Sequence, residues 1–141
     1  MTDAHRALLR MSVQGHEGLR LKPYRDTVGK LTIGYGRNLD DVGISETEAA
    51  LLLARDLDTA ESACVQAFPW FHGLDGVRQT VIVEMAFNLG LTRLLGFVNT
   101  LRAVSEHRFE AAAAGMLKSK WAQQVGRRAR TLARRMRTGE P

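Results

Sequence analysis

The segment from His16 to Arg37 constrains the fold more strongly than any other part of the 141-residue chain. Within it, short runs of alternating apolar and polar residues are separated by glycines, a pattern typical of short strands and tight turns. Residues 27–30, which include a glycine near the tip, have the composition of a hairpin turn. The sequence therefore predicts a small β hairpin, with Asp26 on its first strand and Thr32 on a neighbouring strand.

Helical patterns dominate the rest of the chain. The capping box Ser45-x-x-Glu48 places the start of a long helix at Ser45, and apolar residues at helical spacing continue it to about Ala67. Asp75 is positioned to cap a helix over residues 76–89 that is apolar on nearly every side, as expected for a central buried helix. Further helices are predicted over residues 3–16, 91–95, 98–105 and 109–117 and from residue 126 onward, whereas residues 37–43 have a loop-like composition. The predicted fold class is therefore α+β and mostly helical.

Length and composition indicate one globular domain, residues 1–141. A chain with 45% hydrophobic and 25% charged residues has the composition of an ordinary globular protein. The single cysteine, Cys64, excludes an internal disulfide and lies among alanines at helical spacing, which favours a buried structural thiol over a nucleophile. The histidines are scattered without ligand spacing, so we expect no metal site and no cofactor. No apolar run approaches the roughly 18 residues of a membrane span, and the polar start does not resemble a signal peptide.

Charge is distributed unevenly along the chain. Residues 1–110 hold 12 Lys and Arg against 14 Asp and Glu, while residues 111–141 hold eight against one. An anionic partner for the C-terminal segment is one interpretation, and a solvated helix face is the other. The segment carries no nucleic-acid-binding motif and no aromatic residues interleaved with its arginines, so nucleic acid is not predicted as a partner.

Glu17, Asp26 and Thr32 form the clearest candidate catalytic set. Two carboxyl groups suit the hydrolysis of a glycosidic bond, in which one donates a proton to the leaving oxygen and the other, ionised, activates water. The threonine hydroxyl would hold that water beside Asp26. The spacing is loose, however, and two structural alternatives stay open: Glu17 ends a helix or pairs with an arginine, and Asp26 is a turn residue.

A known family shares these residues. The run E-G-L-R-L-x-x-Y-x-D-T-x-G-x-x-T-I-G-x-G over residues 17–36 resembles the active-site segment of the phage-type lysozymes, glycoside hydrolase family 24. The resemblance continues through D-G-V-R-Q-T-V, F-N-L-G, G-F-V-N-T-L-R, L-K-S-K-W and R-T-G, and so covers about residues 11–139. It implies a β lobe at about 17–44, a connecting helix at about 45–67, and a helical lobe formed by about 68–141 together with a helix at about 3–16. The active site would lie in the cleft between the lobes.

The resemblance also implies roles for individual residues. Glu17 would be the general acid, while Asp26 and Thr32 would position the nucleophilic water. Arg128 matches an arginine that pairs with the catalytic glutamate. Substrate-binding positions would be Tyr24, Gly36, Phe87 and Asn88, although a polar residue at a helix end would look the same as Asn88. Trp121 matches a tryptophan that packs in the core.

Two residues depart from the expected pattern. Glu84 places a carboxylate in the apolar helix over residues 76–89, where a structural ion pair or a rim position is favoured over a third active-site carboxyl or a partner for a site arginine. Arg37 stands where the family's T-even members have a histidine that pairs with an aspartate matching Asp56. We therefore expect an Arg37–Asp56 pair, whose loss in Asp56→Asn would destabilise the fold.

The resulting expectation is an inverting muramidase that cleaves the β-1,4 bond between N-acetylmuramic acid and N-acetylglucosamine of peptidoglycan. It would be a monomer made in a bacterial cytoplasm that reaches the wall through a holin or after lysis. The alternatives are a lytic transglycosylase and a cationic protein whose Arg-rich C-terminal helix binds the anionic bacterial envelope or disrupts membranes. Host, wall type, and a role as free endolysin, tail enzyme, bacteriocin part or effector are open.

Overall fold

The computed structural model of the protein describes residues 1–141. The chain divides into two compact units, Met1–Leu51 and Leu52–Pro141, each with its own internal contacts. Eight α-helices and one small antiparallel sheet confirm the predicted α+β, mostly helical class. The predicted division into a β lobe, a connecting helix and a helical lobe stays a prediction. No helix is at once long enough and apolar enough to cross a membrane.

The first unit begins with helix α1, Asp3–Glu17. The Thr2 hydroxyl caps its N-terminus by accepting a hydrogen bond from the backbone N–H of His5, at 3.3 Å. Gly18 ends it, with φ +70° and its N–H donated to the carbonyl of Gln14. Glycine reaches this backbone conformation without the strain that a Cβ adds. The helix therefore extends one residue beyond its predicted end and carries Glu17 as its last residue.

A three-stranded antiparallel sheet follows, in the order β1-β2-β3. Its strands are β1, Arg20–Arg25; β2, Leu31–Gly34; and β3, Arg37–Asn38. The predicted hairpin between β1 and β2 is confirmed. The prediction of a loop beginning at Arg37 was wrong, because Arg37 and Asn38 pair with Ile33 and Thr32 of β2. A strand of two residues is too short to show an alternation of apolar and polar residues, so no sequence pattern predicts β3.

Helix α2, Glu46–Ala67, begins with the predicted capping box. The Ser45 N–H donates to Glu48 Oε2 at 2.7 Å, and the Glu48 N–H donates to Ser45 Oγ at 3.1 Å. Each side chain thus satisfies one backbone N–H that the helix start leaves without a partner. Hydrogen bonding of the Glu48 carboxyl to the backbone and side chain of Ser45 lowers its pKa from the ordinary value, with a smaller contribution from the positive charge of Arg37.

The second unit contains the remaining helices. They are a 3-10 turn, Phe71–Gly73, then α3, Gly76–Leu89; α4, Leu91–Leu95; α5, Val98–Ser105; α6, Phe109–Leu117; α7, Lys120–Val125; and α8, Arg127–Thr138. The predicted bounds of α3 to α6 are confirmed, whereas α7 was not predicted. Asp75 caps α3 as expected, its side chain accepting from the Arg78 N–H.

The hydrophobic core lies in this second unit, around α3. Val81, Ile82 and Met85 are each no more than 1% exposed, in agreement with the predicted central buried helix. Trp121 is also buried, which confirms its predicted place in the core. Cys64 is fully buried, and burial raises the pKa of its thiol to about 11. A neutral, inaccessible thiol is a structural group, as its alanine-rich setting indicated.

Candidate active site

Glu17 is held at the junction between α1 and the sheet. Its carboxyl group is exposed and forms no ion pair. It lies against the turn between β2 and β3, where a Cβ added to Gly36 would stand 2.7 Å from Glu17 Oε2 and 3.0 Å from its Cδ. Gly36 also has φ +75°, a conformation that favours glycine. Only glycine therefore lets this turn pass so close to the Glu17 carboxyl.

Asp26 follows the last residue of β1 and is fixed by the hairpin turn. Its Oδ1 accepts two backbone hydrogen bonds, from Val28 at 3.0 Å and from Lys30 at 2.8 Å, and its own N–H donates to the Lys30 carbonyl at 2.9 Å. The alternative interpretation of Asp26 as a turn residue is therefore correct as far as its Oδ1 is concerned. The other oxygen, Oδ2, makes no hydrogen bond within the protein and can accept one from a water molecule.

Thr32 lies on β2 and is only 3% exposed. It is the register partner of Tyr24 on β1, so the two side chains share one face of the sheet. Thr32 Oγ1 donates its proton to the Lys30 carbonyl at 2.9 Å. With the proton committed there, the hydroxyl oxygen can act toward a further group only as an acceptor.

The loop after β3 supports the Asp26 turn through contacts that the sequence did not predict. Asp40 Oδ2 accepts from the Leu31 N–H at 2.8 Å, and Asp41 Oδ1 pairs with Lys30 Nζ at 2.8 Å. The hydrogen bond from Lys30 lowers the pKa of Asp41, and the bond to Asp41 raises that of Lys30. The signal available in the sequence was the adjacent aspartates 40 and 41 after a strand, residues that commonly accept backbone N–H groups in turns.

Arg37 has a different partner from the one expected. Its Nη2 pairs with Glu48 Oε1 at 2.6 Å, so the expected Arg37–Asp56 pair was wrong. Glu48 is eleven residues from Arg37, and its carboxylate is already oriented by the capping box. Because both side chains are about 40% exposed, this ion pair adds little to stability. Destabilisation by Asp56→Asn is accordingly no longer expected on this ground.

In the second unit, Glu84 and Arg128 are partners. Arg128 Nε donates to Glu84 Oε1 at 2.9 Å, a contact that fits both a structural ion pair and a partner for a site arginine. Both residues, together with Phe87, line a groove of about 500 Å³ in this unit. The predicted pairing of Arg128 with Glu17 stays a prediction.

The side chain of Asn88 already makes one hydrogen bond within the protein. Its Oδ1 accepts from Trp121 Nε1 at 2.7 Å, a contact that ties the end of α3 to α7. Its side-chain N–H groups make no hydrogen bond within the protein and remain available as donors. Phe87, next to it, is 38% exposed. No cluster of three or more His, Cys, Asp or Glu side chains lies close enough to hold a metal ion.

Comparison with known proteins shows which family the chain resembles. The model of the family described as phage lysozyme matches residues 14–139. Two proteins of Dictyostelium discoideum are similar over most of both chains. "Probable T4-type lysozyme 1" is 27% identical and "Probable T4-type lysozyme 2" is 24% identical, each alignment covering 87% of this chain and 89% of the relative.

Proposed function

Because the chain belongs to the phage lysozyme family and is thereby a glycoside hydrolase of the lysozyme type, we propose that it cleaves peptidoglycan glycan strands by an inverting mechanism. The bond would be the β-1,4 linkage between N-acetylmuramic acid and N-acetylglucosamine. Inversion requires one carboxylic acid, one carboxylate and a water on the opposite face of the sugar ring. Glu17 supplies the acid, Asp26 the carboxylate, and Thr32 helps to hold the water.

The hydrogen bonds around Asp26 and Thr32 carry this proposal. Asp26 Oδ1 is occupied by two backbone N–H groups, and the Thr32 proton is occupied by the Lys30 carbonyl. Both residues therefore offer only acceptors to a water: Oδ2 of Asp26 and the hydroxyl oxygen of Thr32. A water that donates one proton to each has its lone pairs turned away from both groups. Its oxygen is then oriented to attack, and Asp26 is placed to take its proton.

Glu17 is proposed as the acid because it matches the residue that acts as general acid in the family that the chain resembles. It makes no ion pair, and the Gly36 turn fixes its position. We further propose that Arg128 pairs with it, using the terminal guanidinium nitrogens that the Nε bond to Glu84 leaves free. The proposed substrate contacts are Tyr24, Gly36, Phe87 and Asn88, and Asn88 would act through its free N–H groups.

The test is digestion of purified peptidoglycan in oxygen-18 water, with mass spectrometry of the products. Reducing muramic ends that carry the label, and that disappear in both Glu17→Gln and Asp26→Asn, are the expected result. Glu46→Gln is the matched control, because Glu46 is an exposed carboxylate that makes no side-chain hydrogen bond. Proton NMR of the first products should show the α-anomer. Anhydro-muramic ends would instead identify a lytic transglycosylase, and full lysis by Glu17→Gln would indicate a non-catalytic binder.

A second activity, binding to the anionic envelope, is favoured by the exposed arginines of α8. The apolar face of this helix is not available to insert into a membrane, since Ala129, Leu132, Ala133 and Met136 are all buried in the core. Attraction by the basic face is therefore the physical form that this activity would take, and salt should weaken it. We also propose that the enzyme reaches the wall from the cytoplasm of a bacterial host, through a holin or after lysis.

A further inference from the structure

A groove of about 360 Å³ runs between α6 and α8 on the second unit, and none of its lining residues is assigned to hydrolysis. Its floor is apolar, formed by small side chains of both helices and by Leu117, which is 49% exposed. Three arginines of α8 line it: Arg130, Arg134 and Arg137. This α6–α8 groove combines an open apolar surface with a row of cationic groups.

The three arginines have little to neutralise them. None forms an ion pair with an Asp or Glu side chain, and Arg134 Nη2 donates to an oxygen of the last residue, Pro141, at 2.8 Å. At positions i, i+4 and i+7 they lie on one side of the helix and span roughly 10 Å along its axis. The groove's acidic residue is Glu110, in the first turn of α6. The lining therefore has three positive charges and one negative charge.

We propose that the α6–α8 groove binds the headgroup of an anionic phospholipid at a membrane surface. Guanidinium groups hold phosphate oxygens through paired N–H donors, so the arginines would contact the phosphate. The glycerol and first methylenes of the lipid would lie on the apolar floor, over Leu117. A soluble phosphate polymer would pair with the arginines equally well but has no apolar part to contact the floor of the groove. The arginines and the apolar floor together therefore favour a lipid. This site needs no unfolding of α8; it rests on the envelope binding proposed above, for which it specifies the ligand, and is independent of the proposed hydrolysis.

The experiment is co-sedimentation with vesicles, so that no peptidoglycan is present. Vesicles of phosphatidylcholine containing phosphatidylglycerol are compared with vesicles of phosphatidylcholine alone, near physiological ionic strength. The triple variant Arg130→Gln, Arg134→Gln, Arg137→Gln tests the groove. Its control, equal in charge, is Arg10→Gln, Arg55→Gln, Arg102→Gln, whose arginines are exposed and lie outside the groove. Thermal melting of each variant establishes that it is folded.

We expect the groove variant to lose about tenfold more binding to anionic vesicles than the control, because attraction to a lipid surface falls off within a Debye length. Equal losses in the two triple variants would overturn the proposal, because net charge alone would then explain the binding. Failure of the parent protein to sediment with anionic vesicles would overturn it as well.

Two single substitutions test the apolar floor and the acidic residue of the groove separately. Leu117→Gln keeps every charge and should weaken vesicle binding several-fold while leaving binding to inorganic polyphosphate unchanged. Unaltered vesicle binding by this variant would overturn the lipid assignment and leave a phosphate polymer as the ligand. Glu110→Gln should strengthen vesicle binding, whereas Glu46→Gln, which removes the same charge from the first unit, should do so less. Equal gains would count against the groove.

Discussion

Arg78 connects α3 to the end of α8, and its removal should destabilise the second unit substantially. Its Nε donates to the Met136 carbonyl at 2.7 Å, and its Nη2 donates to the Arg137 carbonyl at 3.0 Å. Its guanidinium carbon lies 3.7 Å from the centroid of the Phe109 ring. The side chain is 14% exposed, so these contacts are largely shielded from water. They satisfy carbonyls in the last turn of α8, where a positive charge is also favoured by the helix dipole.

The magnitude follows from these contacts. A hydrogen bond from a charged donor contributes about 1.5 kcal/mol or more, and a cation–π contact about 1 kcal/mol. We therefore expect Arg78→Ala to lower the free energy of unfolding by about 4 kcal/mol. Arg78→Lys should lose about half as much, because an ammonium retains the charge but cannot reach two carbonyls with a planar fork. The partly exposed pair between Arg78 and Asp75 is given no weight in this sum.

The assay is urea unfolding at neutral pH, followed by circular dichroism and tryptophan fluorescence. Arg102→Ala is the control, since Arg102 is an exposed helical arginine whose side chain makes no hydrogen bond, and it should change stability by less than about 0.5 kcal/mol. A loss below about 1 kcal/mol for Arg78→Ala would refute the reasoning, since solvent would then be replacing these contacts at almost no cost.

The ion pair between Arg78 and Asp75 predicts that the effect of Arg78→Ala on stability depends on pH. Partial burial opposes ionisation of this carboxyl, but hydrogen bonds from the Arg78 side chain and backbone outweigh it and hold the pKa below the ordinary 3.8. A carboxyl whose pKa is lowered by folding stabilises the protein above its unfolded pKa, and this stabilisation is lost as the pH falls through its folded pKa. The difference in stability between parent and Arg78→Ala should therefore shrink as the pH falls below about 4. A constant difference would show that Asp75 plays no part.

Three further predictions concern the glycines and the cysteine. Gly36→Ala should greatly reduce wall lysis, since its Cβ would stand 2.7 Å from Oε2 of Glu17, the proposed general acid, whereas Gly34→Ala, with similar positive φ and no atom within 4 Å, should cost stability alone. Similar activity in the two variants would contradict this. Gly115→Ala should destabilise the protein, because its Cβ would clash with Thr100 Oγ1, and adding Thr100→Ala should recover part of the loss in thermal melts. Cys64 should resist thiol reagents in the native protein and react fully in urea; rapid native labelling would show that the site opens.

Helix boundaries were predictable because local chemistry determines them. The Ser45–Glu48 capping box and the Asp75 cap satisfy backbone groups within a few residues, so they act before any tertiary contact forms. Strand β3 was not predictable, because two residues carry no periodicity and its pairing depends on β2. The same limit applies to helix α7, which has only six residues.

Partners of charged residues were predicted less well than the residues themselves. The sequence indicated that Glu84 needs a partner but not which one, and the partner expected for Arg37, Asp56, was wrong. Arg37 pairs with Glu48 because the capping box has already oriented that carboxylate. Glu84 pairs with Arg128, 44 residues away in sequence, which no local pattern reveals. Ion pairs depend on distances of a few ångströms that only the folded chain defines.

The candidate catalytic set differs from these pairs because short-range elements build it. The end of α1 places Glu17, the hairpin turn fixes Asp26, and strand register fixes Thr32, all within Met1–Leu51. The sequence spacing of these three residues therefore largely determines their local geometry, which is why the candidate set could be proposed from the sequence. It follows that Arg78→Ala, which acts within the second unit, should lower stability without changing the hydrogen bonds around Asp26 and Thr32. Its turnover number, measured well below its melting temperature, should match that of the parent, whereas Gly36→Ala should lower turnover while the protein remains folded.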